Sequence, residues 1–291
     1  MNQAISKAAT LIEALDYIQR YHGRLVVVKI GGSVMDNEQA MHELLHDVVF
    51  MRSVGIQPVV VHGGGKAITQ AMDEAGLEAH FVQGLRYTDE RTLAIAEHVL
   101  CNVINTDIVE TLKAHGVDAI GLHSLSSCVV FGERTYLEGD GGRRIDIGFV
   151  GRVTQVNAKV ITLLCAAETI PVIAPIARDN AGGKLNINAD VAAGEIAATV
   201  QAEKLVMLSD TQGILRDPKD PTSFCPELNR QQIDRMMAEG VISRGMIPKV
   251  QSCLRALDAG VRKAHVVDGR IPHSILLEIF TNEGIGTQVV P

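Results

Sequence analysis

Several features that would place a chain quickly are missing from these 291 residues. No apolar run approaches the roughly 20 residues that span a bilayer. The first residues carry no secretory h-region and no small-residue cleavage site, so a cytoplasmic protein is expected. The five cysteines, Cys101, Cys128, Cys165, Cys225 and Cys253, form an odd set with no C-x-x-C and no Cys/His metal spacing. Reduced thiols and no bound metal are expected from that set. Excess positive charge is missing too: the net charge is −7, which argues against a general nucleic-acid or anionic-membrane binder. Any polyanionic ligand must then meet a local cluster of positive groups. No low-complexity segment or short-period repeat occurs. Nor is there a G-x-x-x-x-G-K-[ST] phosphate loop; "HGGGKAIT" (62–69) comes near but has the wrong spacing. A G-x-G-x-x-G fingerprint with a following ribose-binding acid is also absent.

What is present is a repeated plan. "LVVVKIGGS" (25–33) and "QPVVVHGGGK" (57–66) each run from an apolar strand into glycines and then a helix. Glycine lets the backbone approach a ligand closely, and the amides at a helix start face an anion. Lys29 interrupts the first apolar run. A buried charge is costly unless paired, so Lys29 either snorkels to an edge or points from the strand's end at a phosphate. The adjacent glycines favour the second.

The remaining pattern alternates strands and helices. Ile5, Ala8, Leu11, Ile12, Leu15 and Ile18 predict an amphipathic helix over 5–19. Asp36 with Gln39 reads as a capping box for a helix running to Gly55. Thr88 reads as the cap of a long helix ending at Gly116. Strands are expected at 118–122, 169–177, 204–209 and 264–268, a hairpin within 128–153, and helices from Asn157 and over 186–200, 230–240, 246–260 and 274–281. A long loop covers 210–224. This alternation predicts an α/β fold, a three-layer αβα sandwich with a mainly parallel central sheet. Its ligand site should lie along the carboxyl edge of the strands.

The ordered set "VVVKIGGS", "VVVHGGG", "GLRYT" (84–88), "NINAD" (186–190), "LSDTQGIL" (208–215), "GMIPKV" (245–250) and "GIGT" (284–287) resembles the N-acetyl-L-glutamate kinases of the amino acid kinase family, of the arginine-inhibited hexameric type. The likeness spans residues 24–291. The segment "HSLSSCVV" (123–130) departs from the family pattern, and "EGDGGRRIDIGF" (138–149) is longer than usual. The resemblance implies transfer of the γ-phosphoryl group of ATP, with Mg²⁺ carried by the nucleotide, to the side-chain carboxylate of N-acetyl-L-glutamate, an early step of arginine biosynthesis. It implies that Lys29 and Lys249 neutralise the transferring group, that Asp190 holds both, and that Gly32 and Gly65 donate amides to it. Gly64, Gly65, Arg86 and Asn186 would bind the acyl substrate. Lys29, Gly31, Gly32, Ser209, Asp210, Gly213, Ile214, Leu215, Met246 and Lys249 would hold ATP. His62 is read as structural, because a carboxylate acceptor is already ionised and needs no base.

The same resemblance implies three parts: residues 1–22 as an oligomerisation helix, 23–177 as an acyl-substrate lobe that dimerises, and 178–291 as an ATP lobe. An N-terminal helix and the stretch 263–287 are similar to the arginine-inhibited members. There His265, Glu278 and Gly284 align with arginine-contacting positions, and three core dimers join into a hexamer. Neither nucleic acid nor membrane is an expected partner. Two rival readings remain: a kinase for a longer homologue of the aminoadipate type, and a non-catalytic sensor of nucleotide or arginine.

Overall fold

The computed structural model describes residues 2–217, 219–243, 245–281 and 284–291. Positions 282–283 of the expected stretch 263–287, and position 218 of the expected loop, lie outside them. Two valine-rich strands set the centre. β1 (Leu25–Ile30) and β2 (Gln57–His62) pair in parallel, with Lys29 opposite Val61 and Ile30 opposite His62. β3 (Ala119–Leu122), β4 (Ile170–Ile173), β5 (Lys204–Ser209), β6 (Glu227–Asn229), β7 (Lys263–Asp268) and β8 (Thr287–Val290) complete an eight-stranded sheet in the order β6-β8-β7-β5-β1-β2-β4-β3. Every neighbouring pair is parallel except β7 and β8.

Successive strand residues point to opposite faces. Val26, Val28 and Ile30 pack with Leu44, Leu45 and Met51 on one side of the sheet. Val27, Val59, Val61 and Met207 pack with Ala192, Ile196, Val250 and Leu257 on the other. Both faces are covered, which is why the strands read as unbroken apolar runs. The first side is covered by α2 (Glu38–Ser53), the second by α4 (Ala189–Thr199) and α5 (Met246–Asp258). The other helices used below are α1 (Asn2–Tyr21), α3 (Gly65–Glu74) and α6 (Ser274–Ile279). This is the expected three-layer α/β architecture. Among the described residues no helix is long and apolar enough to cross a membrane.

The chain leaves β1 for β2 on one side and returns later to β5 on the other. The crevice where the order reverses lies at the carboxyl ends of these strands, where open α/β sheets bind ligands. The expected hairpin is present: Val130–Glu138 and Arg144–Val156 pair antiparallel and, with Ile176–Arg178 and Lys184–Asn186, close a small barrel beside that edge.

Several element boundaries differ from expectation. Asn37, not Asp36, caps α2 by accepting from the Ala40 amide at 3.0 Å. Gln39 instead bonds Glu43, and Asp36 pairs with Lys66 at 2.6 Å. Asp89, not Thr88, caps the next helix, accepting from the Thr92 amide at 2.8 Å. Thr88 is fully buried, and its hydroxyl donates to the Arg86 carbonyl. The long helix after Asp89 runs as Glu90–Glu97, a π-helical stretch His98–Ile104, and Asn105–Ala114. The expected strand 169–177 breaks at Ala174–Pro175; its second half joins the barrel. The helix expected from 186 starts at Ala189, because Asn188 caps it and Asn186 still belongs to a barrel strand.

Candidate active site

Strand periodicity aims Lys29. It shares the face of Val27, and that face is covered by α4. Asn188 accepts from the amides of Asp190 and Val191 at 2.9 and 3.1 Å, which fixes the first turn of α4. Asp190 in that turn meets Lys29 Nζ at 2.8 Å through Oδ1. Lys249, in the first turn of α5, reaches Oδ2 at 3.1 Å. Lys29 is 4% exposed and Asp190 6%.

The charges do not cancel. Two ammonium groups face one carboxylate, leaving one positive charge over. Burial pulls the pKa of Lys29 below the ordinary lysine value, with Asp190 opposing and Lys249 reinforcing. Burial would raise the Asp190 pKa, but the two lysines outweigh it and hold the carboxyl below its usual range. An arriving anion would relieve the strain on Lys29.

The glycine turns bring backbone up to this cluster. A Cβ on Gly31 would stand 2.6 Å from the Leu208 carbonyl oxygen, and one on Gly64 2.6 Å from Leu100 Cδ2. Only glycine lets these turns lie so close to their neighbours. Gly32 starts the short helix Gly32–Met35 and Gly65 starts α3, so both present amides that have no partner within their helices.

Arg86 lies across the cavity, 8% exposed. Its Nη2 donates to the Gly65 carbonyl and to Thr69 Oγ1, each at 2.7 Å, and its Nη1 meets Met72 Sδ at 3.3 Å. Phe81 stacks on the guanidinium at 4.8 Å. Among the described residues no carboxylate pairs with it. A surface salt bridge is thereby excluded as its role, and burial lowers its pKa. Asn186 donates to Thr88 Oγ1 at 3.2 Å and is not a helix cap.

One cavity of about 220 Å³ is lined by Lys29, Gly32, Gly64, Gly65, Arg86, Asn186 and Asp190, so the predicted catalytic and acyl-substrate residues converge. Lys249 joins them through Asp190 and lines an adjoining cleft of about 890 Å³. The expected nucleotide residues are more scattered. Ser209 ends β5 beside β1, and the Asp210 carboxylate lies near enough to favour the charge on Lys29. Gly31 lies behind the turn. Ile214 and Leu215 pair with Cys225 and Phe224, and the Ile214 amide donates to Thr287 Oγ1 at 2.8 Å. Gly213 packs on Thr287, and Met246 opens α5. These residues, like Ser209 and Asp210, line neither cavity. Among the described residues no cluster of three or more acids, histidines or cysteines is arranged to hold a metal.

His265, Glu278 and Gly284 do come together, around a separate cavity of about 280 Å³ at the other end of β5. Tyr17, Arg20 and Tyr21 of α1 line it as well. The Glu278 carboxylate is already engaged: His265 Nδ1 lies 2.5 Å away, Lys204 Nζ 3.3 Å, and the amides of Ile285 and Gly286 each donate at 3.0 Å. Glu278 is therefore not a solvated helix acid.

The supporting residues escaped the sequence reading. Lys204 is a buried charge at the first position of β5, next to Glu203, so it does not interrupt an apolar run as Lys29 does. Asn188 sits where a cap belongs. Nothing in the sequence pointed to Thr69, Met72 or Phe81 as the frame of Arg86.

A family model for the amino acid kinase family matches residues 24–268. The chain belongs to the amino acid kinase family. Among its relatives, the acetylglutamate kinase of Heliobacterium modesticaldum is 46% identical over 294 residues, covering all of both chains. That of Synechococcus elongatus is 47% identical, covering 99% of this chain and 93% of the relative. The fold is also that of an N-acetylglutamate synthase from Neisseria gonorrhoeae solved with coenzyme A and N-acetyl-glutamate, with a TM-score of 0.85 at 24% identity; this chain is covered to 98% and spans 63% of that longer protein. For a member of the amino acid kinase family, the cluster of Lys29, Asp190 and Lys249 stands where β1 and two helix starts meet, at the switch point of the sheet.

Proposed function

We propose that this chain transfers the γ-phosphoryl group of ATP to the side-chain carboxylate of N-acetyl-L-glutamate, giving N-acetyl-L-glutamyl 5-phosphate and ADP in arginine biosynthesis. The observation that carries this reading is the surplus positive charge at Lys29, Asp190 and Lys249, opening onto the cavity that also holds a buried Arg86 with no carboxylate paired to it among the described residues. Full-length similarity to acetylglutamate kinases supports the choice of substrate.

The chemistry needs no covalent enzyme intermediate. A carboxylate oxygen of the substrate bonds to the γ-phosphorus as the bond to the bridging oxygen breaks, and the bridging oxygen leaves with ADP. Catalysis is then positioning plus charge stabilisation. Lys29 and Lys249 neutralise the transferring group, and Asp190 keeps both lysines charged and in place. The amides of Gly32 and Gly65 meet oxygens whose charge grows in the transition state. Arg86 grips the α-carboxylate with a fork suited to a planar anion. Asn186 holds the acetylated end, and Gly64 cradles the acyl chain. Residues 209–215, with Met246 and Lys249, hold the nucleotide. Mg²⁺ is assigned to the nucleotide's own phosphates, since Asp190 is already held by two ammonium groups and the described residues offer no acid cluster. When bound it neutralises phosphate charge.

In the same reading residues 23–177 form the acyl-substrate and dimerising lobe, residues 178–291 the ATP lobe, and residues 1–22 the assembly helix. Ile5, Leu11, Ile12 and Leu15 of α1 are exposed on the single chain, and such a stripe needs a partner. Pairing it with the same helix of another subunit would join three dimers into a hexamer. Arginine is assigned to the cavity at Glu278, which α1 also lines, as an inhibitor. Deleting residues 1–22 should give active dimers with weakened arginine inhibition; a full-length dimer in light scattering refutes the assembly.

The test of the activity is hydroxylamine trapping of the acyl phosphate with N-acetyl-L-glutamate, glutamate, aspartate and aminoadipate. N-acetyl-L-glutamate should be much the best acceptor. A preference for an aminoadipate derivative would favour the longer-homologue kinase, and absence of turnover with any acceptor the sensor.

A further inference from the structure

His62 has no part in the chemistry above, yet it is fully buried directly before the glycine turn. Both of its ring nitrogens are engaged. Asn105 Nδ2 lies 3.1 Å from His62 Nε2 and 3.0 Å from the Val172 carbonyl oxygen. An amide nitrogen carries two hydrogens and accepts none, so it donates to both. Nε2 is then the acceptor, and the ring proton sits on Nδ1. That nitrogen donates to the Gly63 carbonyl at 2.9 Å. Burial pushes the pKa of His62 down to about 4, so the ring is neutral at physiological pH.

The Gly63 carbonyl and the Gly64 N–H belong to one peptide unit, and among the described residues there is no cis peptide bond. In a trans unit these two groups point in opposite directions. A carbonyl held back against His62 therefore turns the Gly64 N–H the other way. Gly63, Gly64 and Gly65 all line the cavity with Lys29 and Asp190. Among the described residues no backbone carbonyl accepts from the Gly64 N–H. Asn105 itself follows directly on the π-helical stretch His98–Ile104, a local irregularity that shifts the register of the residues after it.

We propose that His62, seated by Asn105, is a positioning residue for phosphoryl transfer. It clamps the Gly63 carbonyl so that the Gly64 N–H is aimed at the group in transfer. The inference rests on the kinase reading above. It makes His62 a neutral hydrogen-bond donor whose work is done through a backbone peptide, with no proton moved.

The experiment compares wild type, His62→Phe and His62→Asn, the last keeping an N–H near the Nδ1 position. For each, kcat, the KM for N-acetyl-L-glutamate and inhibition by ADP with aluminium fluoride, a mimic of the phosphoryl group in flight, are measured. His62→Phe should lower kcat about 10- to 100-fold and weaken the mimic by a similar factor. Its KM should rise by less than kcat falls, although Gly64 also cradles the acyl chain. His62→Asn should recover a large part of both losses. In parallel, nitrogen-15 spectra of the wild-type imidazole should show a protonated Nδ1 and a bare Nε2 at neutral pH. A kcat within about threefold in His62→Phe overturns the proposal. So does a rise in KM that accounts for the whole loss, failure of His62→Asn to recover, or a ring protonated on Nε2. Wild type that makes no trappable product from any acceptor overturns the kinase reading itself, and the proposal with it.

Discussion

Two buried carboxylates sit at opposite ends of neighbouring strands, and they are built for opposite ends. Asp190 meets Lys29 near the end of β1; Glu278 meets Lys204 at the start of β5. Both lysines belong to apolar strands that pair with one another, Lys29 inside β1 and Lys204 at the first position of β5, with Val26 opposite Lys204 and Lys29 opposite Met207. The difference lies in what surrounds the acid. Glu278 has one lysine, a histidine that burial keeps below its usual pKa, and two backbone amides. Its charge is matched by Lys204, and both of its oxygens accept hydrogen bonds. Asp190 has two lysines and a cavity beside it. The Glu278 cluster ties strand, helix and loop together whether or not a ligand enters the cavity beside it, whereas the surplus of charge at Asp190 calls for an anion.

The largest expected effect tests the balanced side. Glu278→Ala leaves the Lys204 ammonium buried without its counterion, which typically costs about 3–5 kcal/mol. A denaturation midpoint should show it, and a variant as stable as wild type would break the comparison. The pH dependence has a definite sign. Burial would raise the Glu278 pKa, but His265, Lys204 and the amides bring it down to about 2, below the ordinary 4.5. A depressed acid stabilises the fold fully above its unfolded value. That contribution should fade as pH falls from about 4.5 towards 2, and Glu278→Ala should lack this part of the acid transition.

The next effect tests the surplus side. Lys249→Ala should lower kcat by 10²-fold or more, about 2.7 kcal/mol, because it removes charge that counts most in the transition state. Its stability should hold within about 1 kcal/mol, since the side chain is partly exposed and its loss relieves repulsion on Lys29. Lys29→Ala should lose as much kcat. If Lys249→Ala keeps kcat within about a factor of two, the surplus charge has no catalytic role.

These two clusters also show what a sequence can reveal. Lys29 stood out because glycines follow it, and the motif set placed Asp190 and Lys249. Lys204 opens its strand beside Glu203 with no glycines after it, so no local pattern marks it and its partner lies 74 residues away. Strand periodicity is local, so β1, β2 and the sheet edge were legible. Caps were harder, since Asp36 and Thr88 each stand one residue before the true cap, and adjacent polar residues compete for one amide. The π-helical stretch and the frame around Arg86 depend on distant contacts that no local pattern records.

Arg86 is another buried charge, and among the described residues no carboxylate pairs with it, Asp73 acting only from a distance. Arg86→Ala should raise the KM for N-acetyl-L-glutamate by about 10- to 100-fold, the range for a hydrogen-bonded charged group, while kcat changes far less. Arg86→Lys should recover only part of the loss, because a point charge cannot reproduce the fork. A KM unchanged in Arg86→Ala would mean that the cavity's surplus charge binds the substrate without it.

The smallest effect belongs to Thr69, whose hydroxyl donates to the Gly65 carbonyl at 3.0 Å and accepts from Arg86 Nη2 at 2.7 Å. It ties the arginine to the glycine turn, so in the proposed reading the substrate's α-carboxylate and the phosphoryl site would share one frame. Thr69→Val keeps the shape and removes the hydrogen bonds. The expected cost is about 1 kcal/mol, roughly a fivefold rise in KM, with Thr69→Ser close to wild type. The decisive measurement is a cycle with the substrate analogue that lacks the α-carboxylate. If Thr69 acts by holding Arg86, Thr69→Val should weaken N-acetyl-L-glutamate about fivefold and leave the analogue nearly unaffected. Equal losses with both would show that Thr69 supports the glycine turn alone, and that Arg86 takes its position from Phe81, Met72 and the Gly65 carbonyl without the hydroxyl.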